Sequence, residues 1–486
     1  MSVFSPFLFS LTPAAFWRWG RLVLIGGFTL GLLLITFLIW QGLWMGLLAL
    51  PVLLLGSVAA GHLFQRPLLN LCIVIFGFVA VADNEAGFQI QEVLYGVYLY
   101  AYLGHWYLTR LFVYRERLLY TTEDKVWLAF LLLIPCTMPL GILFGGDTSA
   151  MMSEMIAWTM AAIYFPVKEA CARYERGIPA ILLVLALVGL GVALRNAYFF
   201  SQILSDATMA WQVATGRVAS NDHLMMVSSL FGLALVIGAR RGWHFTLLLG
   251  YFLIAFAGLI LTQSRGYWVS FLLGAGAMFL FVDATYRKRM LLLGVLGIIA
   301  LLGIGFVFFS SYIELMLGGI IKRFSTLQTA ASSDLSLVNR FRETAAVWPK
   351  IVQNPILGYG MGVPYTFYDI AHEATDIDAF VHNGYVGLWY KFGLWGLGMV
   401  LFFWARSIWR GFQAFRLQGV SYWLRMAGLA ASISLVAFTL STITSNPFYL
   451  KDSIFVFSVL ASIAVGAYHR GCIVQHTNSV HRLSEP

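Results

Sequence analysis

The chain has 486 residues and a net charge of +9; 60% of its residues are hydrophobic, 16% aromatic and 11% charged, and its mean hydropathy is +0.80. Soluble domains carry about 25% charged residues, so a soluble globular protein is excluded, and the continuous apolar runs exclude disordered and collagen-like chains. What remains is a polytopic membrane protein, whose positive charge reports topology and contact with lipid headgroups; no nucleic-acid partner is implied.

A hydrocarbon core about 30 Å thick takes roughly 20 apolar residues as a helix. Fourteen apolar runs meet or approach that length, at 22–39, 43–60, 68–82, 89–108, 126–145, 150–165, 178–194, 223–238, 244–262, 267–282, 290–310, 384–404, 425–443 and 453–468. The third, sixth and fourteenth are short, so the runs predict an all-α polytopic integral membrane protein with about 12–14 spanning helices. Barrel strands would alternate apolar and polar residues, and these runs do not. The first run follows Arg18 and Arg21 without a small-residue cleavage site, so it reads as a spanning helix and not as a removed signal peptide. Cys72, Cys136, Cys171 and Cys472 show no metal-binding spacing.

With both termini cytoplasmic, most basic residues fall in inner loops, among them Arg110, Arg117, Lys168, Arg173, Arg406 and Arg410. Four regions follow: spanning helices over 1–310 with an outer segment at 195–222, a large periplasmic loop with amphipathic helices over 311–383, the last spanning helices over 384–470, and a cytoplasmic tail over 471–486. In 195–222, Phe199, Phe200, Ile203, Met209, Trp211 and Val213 alternate with polar residues, as in a helix lying in the interface. In 311–383, Val338, Phe341, Ala345, Trp348 and Val352 recur at helical spacing, predicting a helix of about four turns with one apolar stripe and a kink at Pro349.

Arg195 and Arg265 stand at the outer ends of apolar runs, where the inside preference for positive charge disfavours them. One such arginine snorkels to lipid phosphate without further meaning. Two, with Arg340 and Arg342 on the loop helix, suit an anionic ligand, because the guanidinium fork matches phosphate oxygens. His382 opens the run that follows the loop, at the same membrane level. A histidine there is a passive interface residue or, if neighbouring arginines favour its neutral form, a general base. Gly358, Gly360 and Gly362 permit close approach of backbone to a ligand, so Gly358 and Gly360 are read with the substrate-binding residues. No nucleotide-binding GxxxxGK[ST] is present. Asp376 and Asp378 have DxD-like spacing, but with Glu373 they read as a solvated face, and no metal or other cofactor is implied.

The stretches LTQSRGYWVSFLLG around Arg265, NRFRETAAVWPKIVQNPILGYGMG from Asn339 and HNGYVGLWYKFGLWGLGMVLFF from His382 together resemble the O-antigen ligase and polymerase superfamily. The resemblance implies a GT-C-like glycosyltransferase of the bacterial inner membrane with a periplasmic active site. It implies a metal-independent transfer from an undecaprenyl pyrophosphate-linked O-antigen donor, with Arg265 and His382 at functional positions and Arg195 matching by place. Length and loop size are most similar to the ligase, whose acceptor is lipid A-core; the polymerase and the protein O-oligosaccharyltransferase share the signature. A lipid or polysaccharide transporter is disfavoured because midplane stretches carry almost no charge and no internal repeat is evident. A non-catalytic assembly protein would not need arginines and a histidine at one membrane level.

Overall fold

The computed structural model describes residues 65–81, 90–209, 212–213, 221–239, 242–308, 314, 318–319, 321, 335–370 and 372–484. The runs 22–39 and 43–60, together with Trp211, lie outside the described residues. Each of the other twelve runs falls on a helix. In chain order these are α1 (Pro67–Val81), α2 (Ile90–Leu108, ending in a π-helical turn, Thr109–Val113), α3 (Thr122–Leu143), and α4 (Thr148–Thr159), which passes through a 3-10 turn into α5 (Tyr164–Arg173). Next come α6 (Gly177–Asp206), α7 (Asp222–Gly238), α8 (Trp243–Leu261), α9 (Arg265–Phe281), α10 (Ala284–Phe308) and α11 (Leu335–Gln353). A hairpin of β1 (Tyr365–Asp369) and β2 (Ala374–Asp378) precedes α12 (Gly384–Arg416), α13 (Tyr422–Thr444) and α14 (Lys451–Ser484). Seven helices among the described residues are long and apolar enough to cross a membrane.

A helix apolar on every side belongs in the interior of a bundle. In α7 almost every residue is buried, and α8, α9 and α13 pack around it; α12 and α14 complete the layer against α13. One end of this bundle gathers the starts of α7, α9, α12 and α14. Ser264 Oγ donates to Asp222 Oδ2, Asn446 Nδ2 to Val381 O at 2.7 Å, and Ser453 Oγ lies 3.3 Å from His223 Nδ1. At the opposite end, basic side chains meet carbonyls that helices leave unsatisfied at their C-termini. Arg289 donates to Ile237 O and Ala239 O, Arg287 to Val282 O, and Arg425 to Phe415 O.

Several sequence expectations are corrected. The fold is helical but not all-α: 365–378 forms a two-stranded antiparallel hairpin, pairing Tyr365 with Asp378 and Asp369 with Ala374. Alternation of buried and exposed residues along β1 accounts for it, a period of two in a stretch too short to register as an apolar run. The short run at 150–165 is the middle of a continuous helical stretch over Thr148–Arg173, and the one at 453–468 lies within the 34-residue α14. The helices carry paired charge, with Lys168 and Asp124 joined near helix ends, Lys391 and Glu154 buried together, and Arg406 and Arg410 reaching the buried Glu123 in the first turn of α3. Lys168, Arg406 and Arg410, expected in inner loops, sit on helices instead, and each meets a carboxylate distant in sequence that offsets the cost of taking charge out of water.

Candidate active site

The helix expected from the apolar stripe is α11, unbroken through Pro349, but the stripe faces outward. Phe341, Trp348 and Val352 are about half exposed, whereas Asn339, Glu343, Val347 and Ile351, spaced four apart on the opposite side, are buried. Val347 and Ile351 join Tyr365, Phe367, Val381, Val386 and Tyr390 in a small core between α11, the hairpin and the start of α12. Each fully buried aliphatic side chain there contributes about 1.5–3 kcal/mol. Asn339 fixes the start of α11 to the hairpin, donating to Asp369 and accepting from Ile370 N at 3.0 Å.

That core brings Glu343 to His382. Glu343 Oε2 lies 2.8 Å from His382 Nδ1 and accepts the His382 backbone N–H at 3.1 Å. An ionised carboxylate only accepts, so Nδ1 carries the proton and Nε2 presents its lone pair. The Glu343 side chain is 5% exposed and the His382 side chain 38%, so the imidazole is gripped from inside and open outward. Phe380 packs its ring edge-on at 4.9 Å. Tyr365 donates to Phe380 O at 2.8 Å; burial and the carboxylates of Glu343 and Asp378 hold its phenol well above the usual range, so it stays a donor. Asn383, the next residue, caps α12 by accepting from Tyr385 N and Val386 N. His382 therefore stands at the positive end of a helix, a place that favours anions.

Arg265 is the first residue of α9, and its neighbour Gly266 faces Thr444 at the end of α13, close to Asn446, which binds Val381 O. The structure thus puts Arg265 and His382 at one end of the bundle. Arg195 is not at a helix end: α6 continues through it to Asp206. Ala193 packs against Gly258 and Phe200 against Leu261, which sets Arg195 within about a turn of the α8–α9 corner. Phe200, expected on an interfacial surface, is buried there. Arg342 lies over the outward ring of Tyr368 at 5.8 Å, on the far side of the hairpin's inner face. Arg340 is half-buried one turn before Thr344 on the same helix.

The glycine loop has another use. α12 is broken at Gly393, where φ is 65° and ψ −171°, and the loop after α11 closes over the break. Tyr359 N donates to Tyr390 O, Gly360 N to Lys391 O, and Leu394 N to Pro355 O, so the loop supplies the hydrogen bonds the helix lost. Gly358 N donates to Asn354 O. A Cβ on Gly358 would come 2.5 Å from Gly393 N, and one on Gly393 2.0 Å from Ile356 O. Gly358 and Gly360 therefore hold backbone against backbone, and their N–H groups are spent on protein acceptors. Lys391 is buried: its Nζ donates to Val363 O at 3.0 Å and pairs with Glu154 Oε1 at 3.1 Å, while Glu154 Oε2 accepts from Gly362 N. Asp376 and Asp378 turn back onto Ile377 N and Phe380 N.

Sequence reasoning missed Glu343 and the Glu154–Lys391 pair. The signal available for Glu343 was its position on the Asn339–Val347–Ile351 face, masked by the more apolar opposite face.

Residues 250–401, from α8 to the middle of α12, match the family model described as O-antigen ligase. The match covers Arg265, Arg340, Arg342, Glu343, Gly358, Gly360 and His382; Arg195 lies before it. It supports the O-antigen ligase and polymerase superfamily, and with it a multi-pass membrane enzyme of ligase or polymerase type. A search of the curated proteins finds no match.

Proposed function

We propose that this protein is an inverting glycosyltransferase that moves an O-antigen polysaccharide from undecaprenyl pyrophosphate to lipid A-core, with its active site on the periplasmic face of the inner membrane. The observation that carries the reading is the Glu343–His382 pair at the capped start of α12, at the end of the bundle where α9 begins with Arg265. In this reading His382 Nε2 takes the proton of an acceptor sugar hydroxyl as its oxygen attacks the anomeric carbon. The bond from that carbon to the pyrophosphate oxygen breaks, and the electron pair leaves with the carrier pyrophosphate. Arg265, with Arg195, offsets the charge that develops on it, an interaction that strengthens as the bond breaks. A pyrophosphate neutralised by guanidinium groups leaves without a metal's help, and a single displacement needs no carboxylate nucleophile.

The outward face of α11, continued by Ile356 and Leu357 and by Leu394 and Trp395 beyond the break in α12, is apolar and exposed. On this reading it rests in the outer leaflet, so both lipid-borne substrates meet the histidine at headgroup depth. The test is deletion of the gene followed by gel analysis of lipopolysaccharide. Core-only lipid with accumulated carrier-linked polymer is expected. Core bearing a single repeat would assign a polymerase, and unchanged lipopolysaccharide would turn attention to protein glycans.

A further inference from the structure

Far from His382, at the end of the bundle where basic residues cap helices, a cleft of about 60 Å³ opens between α2, the 114–121 connection, α5 and α14. His469, on its wall, lies 18 residues beyond the start of α14, about 27 Å along a helix from the His382 end at 1.5 Å per residue. The proposed transfer makes no use of it.

Its walls divide by chemistry. Trp106, Tyr120 and Phe165 supply aromatic surface. Arg173 pairs with Glu116 at 2.6 Å, Arg110 holds Glu169 through two nitrogens, and Lys168 holds Asp124 at 2.6 Å beneath the Tyr120 ring. These pairs occupy the carboxylates and stiffen the frame. Arg117 also lines the cleft, is exposed, and meets no carboxylate among the described residues. Approach to it is shaped by irregular backbone: α2 ends in a π-helical turn closed by Tyr114 N donating to Thr109 O, and Arg115 adopts φ 50°. π-turns and left-handed non-glycine residues are uncommon and concentrate at binding sites. Beside the mouth, Leu111, Phe112 and Tyr114 are exposed.

We propose that this cleft is a phosphate-group site, with Arg117 as its principal ligand and the aromatic wall receiving what the phosphate carries. Arg117 offers a planar fork of donors, which suits a phosphate better than a single point charge would. The adjoining apolar surface suits a phospholipid, whose headgroup would enter the cleft while its chains follow α2; a small soluble phosphate shares the same headgroup chemistry. Basic pockets between spanning helices at headgroup level favour anionic lipids for this reason.

The full-length protein in detergent is examined by native mass spectrometry with phosphatidylglycerol or phosphatidylcholine, and separately with inorganic phosphate by thermal shift. Arg117→Ala is compared with wild type and with Arg416→Ala, an exposed arginine at the same end of the bundle. Retention of phosphatidylglycerol over phosphatidylcholine that falls at least tenfold in Arg117→Ala and stays in Arg416→Ala supports the site with a lipid as its ligand. Stabilisation by inorganic phosphate that Arg117→Ala abolishes, without a lipid preference, supports it with a soluble ligand. Equal behaviour of the two variants, or no dependence on Arg117, overturns it. Arg117 is a surface side chain with no ion pair among the described residues, so its loss leaves the fold intact, and neither readout depends on transferase activity.

Discussion

Glu343 Oε2 takes both the backbone N–H and the Nδ1 proton of His382, a residue 39 positions later in the chain. Two bonds to one oxygen fix the imidazole's position and its tautomer together, and leave Nε2 as the outward base. A side chain that only capped the bundle would not need its tautomer specified by a buried carboxylate. Replacing Glu343 with Ala is expected to lower glycan transfer about 10²-fold or more, as loss of an orienting carboxylate does elsewhere. Glu343→Gln should fall between, since its amide oxygen still accepts. Transfer from a lipid-linked donor, measured beside the amount of folded protein in the membrane, checks this; normal transfer in Glu343→Ala would remove the pair from the mechanism.

His382→Ala should lose the base and with it about 10²–10⁴-fold in rate while the protein remains in the membrane. Arg265→Lys should resemble Arg265→Ala, because lysine keeps the charge and loses the bidentate fork. A preorganised donor at a leaving group contributes roughly 2.7–4 kcal/mol, so a loss of about 10²–10³-fold is expected. Single-turnover rates of the purified variants decide both, and full activity in Arg265→Lys would return that residue to snorkelling.

Gly358→Ala and Gly393→Ala are expected to reduce stability, whatever ligand is present. Both positions have positive φ, and the added methyl groups would press on backbone atoms at 2.5 and 2.0 Å, which cannot swing aside as a side chain can. Loss of folded protein in detergent, read by thermal melting, is the expected result. Variants that melt normally but bind donor poorly would restore the phosphate-cradle role.

Breaking the buried Lys391–Glu154 pair by Lys391→Met should cost about 3–5 kcal/mol, because Glu154 is left in the interior without its cation. Adding Glu154→Gln should recover part of that loss. A melting series of the two single variants and the double variant tests the coupling; additive losses would show that the pair does not act as a unit.

His372 sits at the hairpin turn with Nδ1 2.8 Å from Asp369 Oδ2, and that carboxylate raises its pKa from the ordinary value of about 6.5. Since the folded state binds this proton more tightly, the contact supports the hairpin fully below about pH 6.5 and is lost as pH rises through the folded value. Asp369→Asn should bring the titration of His372 back down. Imidazole NMR in wild type and variant measures it, and identical titrations would mean the contact is not made in solution.

The sequence by itself determined the class of protein, the twelve apolar runs that became described helices, and the positions of Arg265 and His382 at helix starts. Those are local properties: an apolar run must shed water, and a helix start is marked by its cap and by the end of the run. Tertiary structure alone decided which face of α11 is buried, because hydrophobicity favours the stripe of Phe341 and Trp348 and only packing against the hairpin and α12 turns Asn339 and Glu343 inward. It likewise decided that Gly358 and Gly360 close a broken helix, since nothing near them in the chain announces that α12 stops at Gly393 with carbonyls to be satisfied. A residue's partner 39 or 237 positions away, as for Glu343 with His382 and Glu154 with Lys391, is set by how helices cross, and the periodicity of one segment carries no record of the other.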